Sequence, residues 1–126
     1  MSKLLRIIFP ALLLLFAACT HNDGDIGPLF GQWRLTSPEC PDAALYISFQ
    51  NTTVETKAVY PRHESTEAFG NWNLSDRILT LDFPDPDRQA PAEFQFDAFE
   101  QFTVETLTSR RFVLTTPDRR LEFEKW

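Results

Sequence analysis

The chain has 126 residues, with 18 acidic and 12 basic side chains and a formal net charge of −6 at pH 7. A chain of this length supports one small domain with a single hydrophobic core. The acidic balance argues against nucleic-acid binding, because such binding needs basic patches that neutralise phosphate.

Residues 1–18 have the features of a cleaved export signal. Lys3 and Arg6 precede an uncharged run of 12 residues, IIFPALLLLFAA, which begins directly after Arg6. This run is shorter than the roughly 20 residues that span a bilayer as a helix, and Pro10 interrupts it. It has neither a polar face nor a 3.6-residue period, which argues against a buried amphipathic helix. The pattern predicts a signal peptide over residues 1–18.

The end of this run, Phe16-Ala17-Ala18-Cys19, resembles a bacterial lipobox. In that motif, small side chains fit the signal peptidase and the cysteine thiol receives a diacylglycerol. The resemblance implies cleavage before Cys19, a thioether-linked lipid on its sulfur and a further acyl chain, such as palmitate, on its nitrogen. Two or three acyl chains anchor a protein stably, at about 0.8 kcal/mol per buried methylene. The alternative is a secreted protein in which Cys19 is a stray thiol.

We expect the mature chain to consist of a lipidated tether over residues 19–28 and a folded domain over residues 29–126. It retains ten basic and 18 acidic side chains, a formal charge of −8. That charge argues against electrostatic adhesion to an anionic leaflet, so we expect membrane contact through the lipid alone. Thr20 stands where an Asp retains lipoproteins on the inner membrane of enteric bacteria. We therefore expect the outer membrane of a Gram-negative cell envelope, on its periplasmic or its surface face.

The remaining chain is a succession of short segments in which apolar and polar residues alternate, as in half-buried strands. Firm breaks separate them, such as the turn at Asn51 and the proline-rich residues 84–87. The predicted strands are GQWRLTS (31–37), ALYISFQ (44–50), TVETKAVY (53–60), EAFGNWNLS (67–75), RILTLDF (77–83), EFQFDAF (93–99), FTVETLT (102–108), RRFVLTT (110–116) and RLEFEKW (120–126). About eight short strands joined by hairpin turns predict an all-β, antiparallel up-and-down barrel, with a β-sandwich as the alternative.

A resemblance supports the barrel. Gly31-Gln32-Trp33 is similar to the G-x-W signature of lipocalins, and residues 26–30 to the turn that closes their barrel floor. The ordered set GQWRLTS, NWNLSD, ILTL, VETLTS and FVL resembles the small lipocalin-like domains of Bacteroidetes lipoproteins. The resemblance implies an eight-stranded barrel over residues 29–126 and a binding role without catalysis. It also implies an arginine packed over Trp33, for which Arg119 and Arg120 are the candidates.

No catalytic constellation is evident, so we expect no enzyme activity. His63 lies near Glu64 and Glu67, but the domain has no second histidine and no Cys/His spacing that suits zinc. The aspartates of residues 82–87 lack the glycine and the closing Glu of an EF-hand. With Cys19 lipidated, Cys40 has no intrachain partner, and we expect it to be structural or incidental rather than reactive. The sequence predicts no metal and no cofactor.

The aromatic residues are the most informative group for a binding function. Most sit at alternating positions and are core by default, but some have polar tips that seek a partner when buried. The candidates for lining a ligand site are Tyr46, Phe49, Tyr60, Trp72, Phe94 and Phe96. Two hypotheses follow: a lipid-anchored module that holds a small apolar ligand, or an accessory, protein-interaction lipoprotein whose barrel is filled. An open interior would favour the first and a close-packed interior the second.

Overall fold

A computed structural model describes residues 29–126, which form eight strands. They are β1 (Gly31–Ser37), β2 (Ala44–Gln50), β3 (Thr53–Val59), β4 (Ser65–Ser75), β5 (Ile78–Asp82), β6 (Phe99–Leu107), β7 (Arg111–Thr115) and β8 (Arg120–Lys125). Every strand pairs antiparallel with its chain neighbour and β8 pairs with β1, so the sheet closes. The predicted up-and-down barrel is confirmed, and the sandwich alternative is wrong. The predicted signal peptide, Cys19 and tether lie outside the described residues.

The barrel has two unlike ends. The near end carries residues 29–30, where the described chain begins, and the short turns at residues 51–52, 76–77 and 108–110. Asn51, Asp76 and Arg77 have positive φ values of 41°, 49° and 70°, as tight hairpin turns require. The far end carries the longer connections, residues 38–43, 60–64, 83–98 and 116–119. All the longer connections between strands are therefore at the far end.

Aromatic side chains fill the interior of the barrel. Phe112 lies at the centre of this cluster, with its ring centroid 5.3 Å from Trp33, 5.9 Å from Phe49 and 5.5 Å from Phe123. All four rings are fully buried. Such aromatic pairs contribute about 0.5–1.5 kcal/mol each beyond the burial of their area. The near half of the barrel is thus a packed core.

The near end is closed by the segment that enters β1. The indole Nε1 of Trp33 donates a hydrogen bond of 3.0 Å to the carbonyl of Leu29, which is fully buried. The ammonium of Lys125 lies 4.5 Å from the Trp33 ring centroid and donates to the carbonyl of Phe30. The cation over the tryptophan is therefore Lys125, and the expectation of Arg119 or Arg120 is wrong. Residue 125 lies at the near end of β8, whereas Arg119 and Arg120 lie at the far end.

The predicted strand EFQFDAF is wrong as well. Residues 92–94 form a single 3₁₀ turn after Pro91, and Gln95 has a left-handed backbone with φ 57°. Neither conformation continues a ladder. The backbone N–H of Phe83 donates to the carbonyl of Ala98 at 2.7 Å, which closes the base of an excursion between β5 and β6. The true partner of β5 is β6, which begins at Phe99.

Candidate functional site at the far end

The excursion between β5 and β6, residues 83–98, folds over the far end of the barrel and is here called the cover. Its two ends are joined by a hydrogen bond and its middle packs on its own side chains, as in a compact surface loop. Phe94 is 3% exposed and stacks on Phe96, with ring centroids 4.9 Å apart. Phe96 in turn meets the edge of Phe102 on the wall strand β6 at 5.4 Å. The cover thus places two aromatic rings over the far end.

Arg119, in the connection between β7 and β8, holds the cover by polar contacts. Its Nη1 donates to the carbonyls of Gln95 at 2.7 Å and Phe94 at 3.3 Å. The guanidinium carbon lies 5.8 Å from the centroids of both Phe96 and Phe102, within cation–π range. One side chain therefore bridges the cover and the barrel wall.

The guanidinium of Arg119 retains donors that the described residues do not use. Its side chain is 22% exposed, and Nη2 lies 3.8 Å from Oε2 of Glu100, an ion pair that is too long for a hydrogen bond. Among the described residues, Nε and Nη2 have no hydrogen-bond partner, although both atoms are buried. Buried donors of this kind are costly unless a further acceptor reaches them.

A second polar contact fixes the cover from the opposite side. The hydroxyl of Tyr60, in the connection between β3 and β4, donates to Oε2 of Glu93 at 2.8 Å. The hydrogen bond to Glu93 raises the pKa of Tyr60, with desolvation adding to the shift. The cover is therefore attached to the barrel by the side chains of Tyr60 and Arg119 and by its own aromatic rings, not by a strand ladder.

A groove of about 580 Å³ runs beside the cover at the far end. Its apolar wall includes Leu35, Phe94 and Leu121, and Arg119 contributes its cation. The rim has four carboxylates, those of Glu39, Asp42, Glu93 and Asp118, and one further cation, Arg120, so it is acidic on balance. Cys40, a free and half-buried cysteine, also lines it. A larger hollow of about 730 Å³ lies elsewhere, on the polar outer surface of β7 and β8 beside Arg111 and Glu122.

The six aromatic residues predicted to line a ligand site do not converge on one place. Tyr60, Phe94 and Phe96 meet at the far end, in or against the cover. Phe49 and Trp72 lie together in the near half, with centroids 5.4 Å apart. The described residues offer no partner to Nε1 of Trp72, which is buried although the residue as a whole is half-buried.

Tyr46 lies outside the barrel, on the face opposite Phe49, and does not join the other candidate lining residues. In strand β2, Leu45, Ile47 and Phe49 point inward and are fully or almost fully buried. The ring of Tyr46 instead meets the edge of Trp126 at 5.6 Å on the outer surface. Period-two alternation excludes Tyr46 and Phe49 from the same face.

Sequence reasoning missed the polar residues that hold the cover. Arg119 was assigned to the wrong end of the barrel, and Glu93 was interpreted as the outer face of a strand. The prolines at 84, 86 and 91 were the available signal, because three prolines in eight residues are incompatible with a continuous ladder. They indicate a structured loop rather than a strand.

Two kinds of feature are absent from residues 29–126. No group of three or more His, Cys, Asp or Glu side chains is placed to hold a metal ion in this part of the chain. No helix in the same range is long and apolar enough to cross a bilayer.

The lipocalin-like domain family matches residues 13–126, nearly the whole chain, and this protein belongs to that family. Its barrel is similar to a lipocalin-like protein from Bacteroides uniformis, with a TM-score of 0.65 at 19% identity over 79% of this chain and 99% of that one. An uncharacterised protein from Bacteroides eggerthii is similar with a TM-score of 0.58 at 15% identity, over 78% and 99%. Comparison with curated proteins gave no match. At these identities the structural likeness shows the fold alone, and function must be argued from the site.

Proposed function

We propose that this protein is a lipid-anchored, non-catalytic binding lipoprotein of the outer membrane, whose far end takes up a small amphipathic molecule. The observation that supports this best is the cover. Two stacked rings, Phe94 and Phe96, occupy the far end beside the half-buried Arg119, whose Nε and Nη2 are unused donors. In this proposal the ligand takes the place of those two rings. Lipocalin-like proteins are typically binding proteins, which is consistent with such a role.

The packed interior limits where a ligand can enter. Phe112 and its ring neighbours fill the near half, and displacing them would remove several kcal/mol of core packing. The cover is different, because its backbone makes local turns and its attachment depends on Arg119 and Tyr60. Moving the cover gives up the burial of Phe94 but breaks no pairing between barrel strands, so the far end opens at lower cost than the aromatic core does.

The chemistry of the far end indicates the class of ligand. The rings and aliphatic wall suit an apolar body, and Nε and Nη2 of Arg119 suit a single anionic group such as a carboxylate. The acidic rim, with Glu39, Asp42 and Asp118, disfavours ligands with several negative charges. A medium- or long-chain fatty acid has the required combination.

Titration with an environment-sensitive fluorescent fatty acid, together with native mass spectrometry, tests the site. We expect one molecule to bind per chain, and Phe96→Ala to tighten binding, because it removes part of the cover that the ligand must displace. Phe99→Ala is the matched control, since Phe99 is 59% exposed beside the cover and should leave affinity unchanged. Weaker binding in Phe96→Ala would show that the ring lines a ready-made site, and equal effects of both variants would rule out the far end.

The lipid anchor is a separate part of the proposal and has a separate test. Metabolic labelling with a fatty-acid analogue should mark the wild-type chain and leave Cys19→Ala unlabelled. The support for this step is the lipobox at residues 16–19 and the apolar run before it. Label that persists in Cys19→Ala would remove the anchor from the proposal.

A second candidate function is that of an accessory lipoprotein, which acts through its surface. The packed interior around Phe112 favours this function, because it leaves no room for a ligand there. The same titration separates the two functions. If neither the wild type nor Phe96→Ala binds the fatty acid, while a defined protein copurifies from outer-membrane extracts, the accessory role is the better account.

A further inference from the structure

The outer wall of the barrel carries an ordered aromatic cluster where β8 meets β1. Trp126, which directly follows β8, is 63% exposed, more than any other large apolar side chain of residues 29–126. Its ring meets the edge of Tyr46, with centroids 5.6 Å apart, and the guanidinium of Arg34 lies 4.9 Å from its centroid. Phe69 and Phe99 are nearly as exposed, but they lie on β4 and β6, on the other side of the barrel. Neither of them pairs with another ring of the described chain.

The indole of Trp126 is held in place by the backbone beside it. The N–H of Trp126 donates to the carbonyl of Gln32 at 2.9 Å, which extends the pairing of β1 with β8 by one residue. The guanidinium of Arg34 also lies 6.0 Å from the ring centroid of Tyr46, so one cation contacts both rings. An aromatic group fixed in this way loses little conformational entropy when a partner covers it.

A hollow of about 360 Å³ lies beside this cluster. The ladder between β1 and β2 ends at Arg34 and Tyr46, so residues 35–37 of β1 and 44–45 of β2 are not paired with each other. The wall of the hollow is mainly aliphatic, and the ring of Trp126 forms part of it. The same surface therefore offers both an exposed indole and an apolar recess.

Two charged side chains of this surface are not paired within the described chain. Arg34 stands opposite Glu124 in the β1–β8 ladder, but its guanidinium lies over the two rings instead. Neither side chain has an ion pair or a hydrogen bond among residues 29–126. Glu124 also stands opposite Arg111, whose guanidinium pairs with Glu122 at 2.6 Å. A cation and a carboxylate on adjacent strands are thus left for a group outside the chain.

Adjacent charges of opposite sign make this surface complementary to itself. A two-fold axis between β1 and β8 brings Arg34 of one copy against Glu124 of the other, and the reciprocal contact forms at the same time. The same operation carries the indole of Trp126 towards the hollow of the other copy. Trp, Tyr and Arg are also the residue types that are enriched at the centres of protein interfaces.

We infer that two copies of this protein associate side by side through this outer-wall surface, which comprises Arg34, Tyr46, Glu124, Trp126 and the adjoining hollow. The inference depends on neither the ligand nor the lipid anchor. The cover joins β5 to β6 and lies outside the surface, so each copy keeps its groove accessible. Four strands give a surface about 15 Å wide and 20 Å tall. This area is small for a specific interface, so we expect a dissociation constant of roughly 10–100 μM.

Sedimentation equilibrium of the mature protein tests this association, in detergent micelles whose density matches the buffer. We expect the wild type to exchange between monomer and dimer. Arg34→Glu and Glu124→Arg, each alone, place like charges at both symmetric contacts and should weaken association at least about tenfold. Arg88→Glu is the matched control, because it makes the same change of charge at an exposed position of the cover and should leave association unchanged.

Mixing the two weakened variants is the sharpest measurement. In a mixed dimer of Arg34→Glu with Glu124→Arg, both contacts join opposite charges again, so association should return to within a few-fold of the wild type. A mixture that associates no more strongly than either variant alone would overturn the inference, as would a wild type that stays monomeric at millimolar concentration. Where near-ultraviolet circular dichroism shows that a charge reversal disturbs the barrel, Trp126→Ala replaces it. This variant should also weaken association, and unchanged association would overturn the inference.

Discussion

Replacing Arg119 with alanine should loosen the cover while leaving the barrel closed. The change removes two hydrogen bonds from a cation to backbone carbonyls, of 2.7 Å and 3.3 Å, and the cation–π contacts with Phe96 and Phe102. Hydrogen bonds to charged groups contribute about 1.5–3 kcal/mol and cation–π contacts about 0.5–1 kcal/mol. The cost of burying Nε and Nη2 without a hydrogen-bond partner offsets part of this stabilisation. A net loss of about 2 kcal/mol raises the open population of the cover roughly 30-fold.

Amide hydrogen exchange measures this opening directly. The backbone N–H groups of Phe94 and Gln95 donate within the cover, at 2.9 Å and 3.0 Å, and should exchange roughly 30-fold faster in Arg119→Ala. Arg88→Ala is the matched control, because Arg88 lies in the same segment and its only ion pair in the described chain is exposed, at 3.9 Å from Asp85. Unchanged exchange at residues 94 and 95 would refute the role of Arg119. Equal acceleration in β2 and β7 would show global destabilisation instead.

Three further changes test the barrel by urea denaturation. Phe112→Leu should lower the free energy of unfolding by about 2 kcal/mol, because it removes three ring contacts, whereas Phe99→Leu on the surface should change it by less than about 0.5 kcal/mol. Gly70→Ala should cost about 1–3 kcal/mol, since the added Cβ would lie 2.5 Å from a backbone oxygen of β5, and a neutral effect would contradict this packing. Burial, reinforced by Glu67, raises the pKa of Glu55 above its usual value. Ionised Glu55 therefore destabilises the fold fully above its raised pKa, and not at all below the pKa that it has in the unfolded chain. Glu55→Gln should raise the free energy of unfolding by about 0.5 kcal/mol at pH 7 and leave it unchanged near pH 3.

The barrel could be predicted because period-two alternation is strong in most of its strands. In β2, Leu45, Ile47 and Phe49 alternate with polar residues, and the structure buries all three. Turn chemistry was equally informative at Asn51, whose positive φ fits the two-residue hairpin. Local pattern and global fold agree there, so the sequence alone identifies both.

The cover could not be predicted from alternation, because Phe94 and Phe96 are spaced like strand residues but belong to a turn. Here a 3₁₀ turn and a left-handed backbone at Gln95 bring these two i, i+2 rings to the same side, where they stack on each other. Only the contacts with Phe102 and Arg119 decide between the two structures. The contact with Arg119 spans 24 residues of sequence, and neither contact leaves a pattern of alternation.

The candidate site could be predicted only in part, because alternation does not reveal which side chains meet across the barrel. Tyr60, Phe94 and Phe96 do meet at the far end, whereas Phe49 belongs to the core and Tyr46 to the outer surface. Aromatic content identified residue types but not the end of the barrel on which they lie. The polar partners that make the far end distinctive depend on the register of β6 and β8, which composition does not reveal.

A structure of the mature protein with saturating fatty acid tests the central claim most directly. The account predicts that Phe94 and Phe96 leave the far end, that the acyl chain lies against Phe102, and that the carboxylate accepts hydrogen bonds from Arg119. An unmoved cover, with the fatty acid on the outer surface or absent, would contradict it.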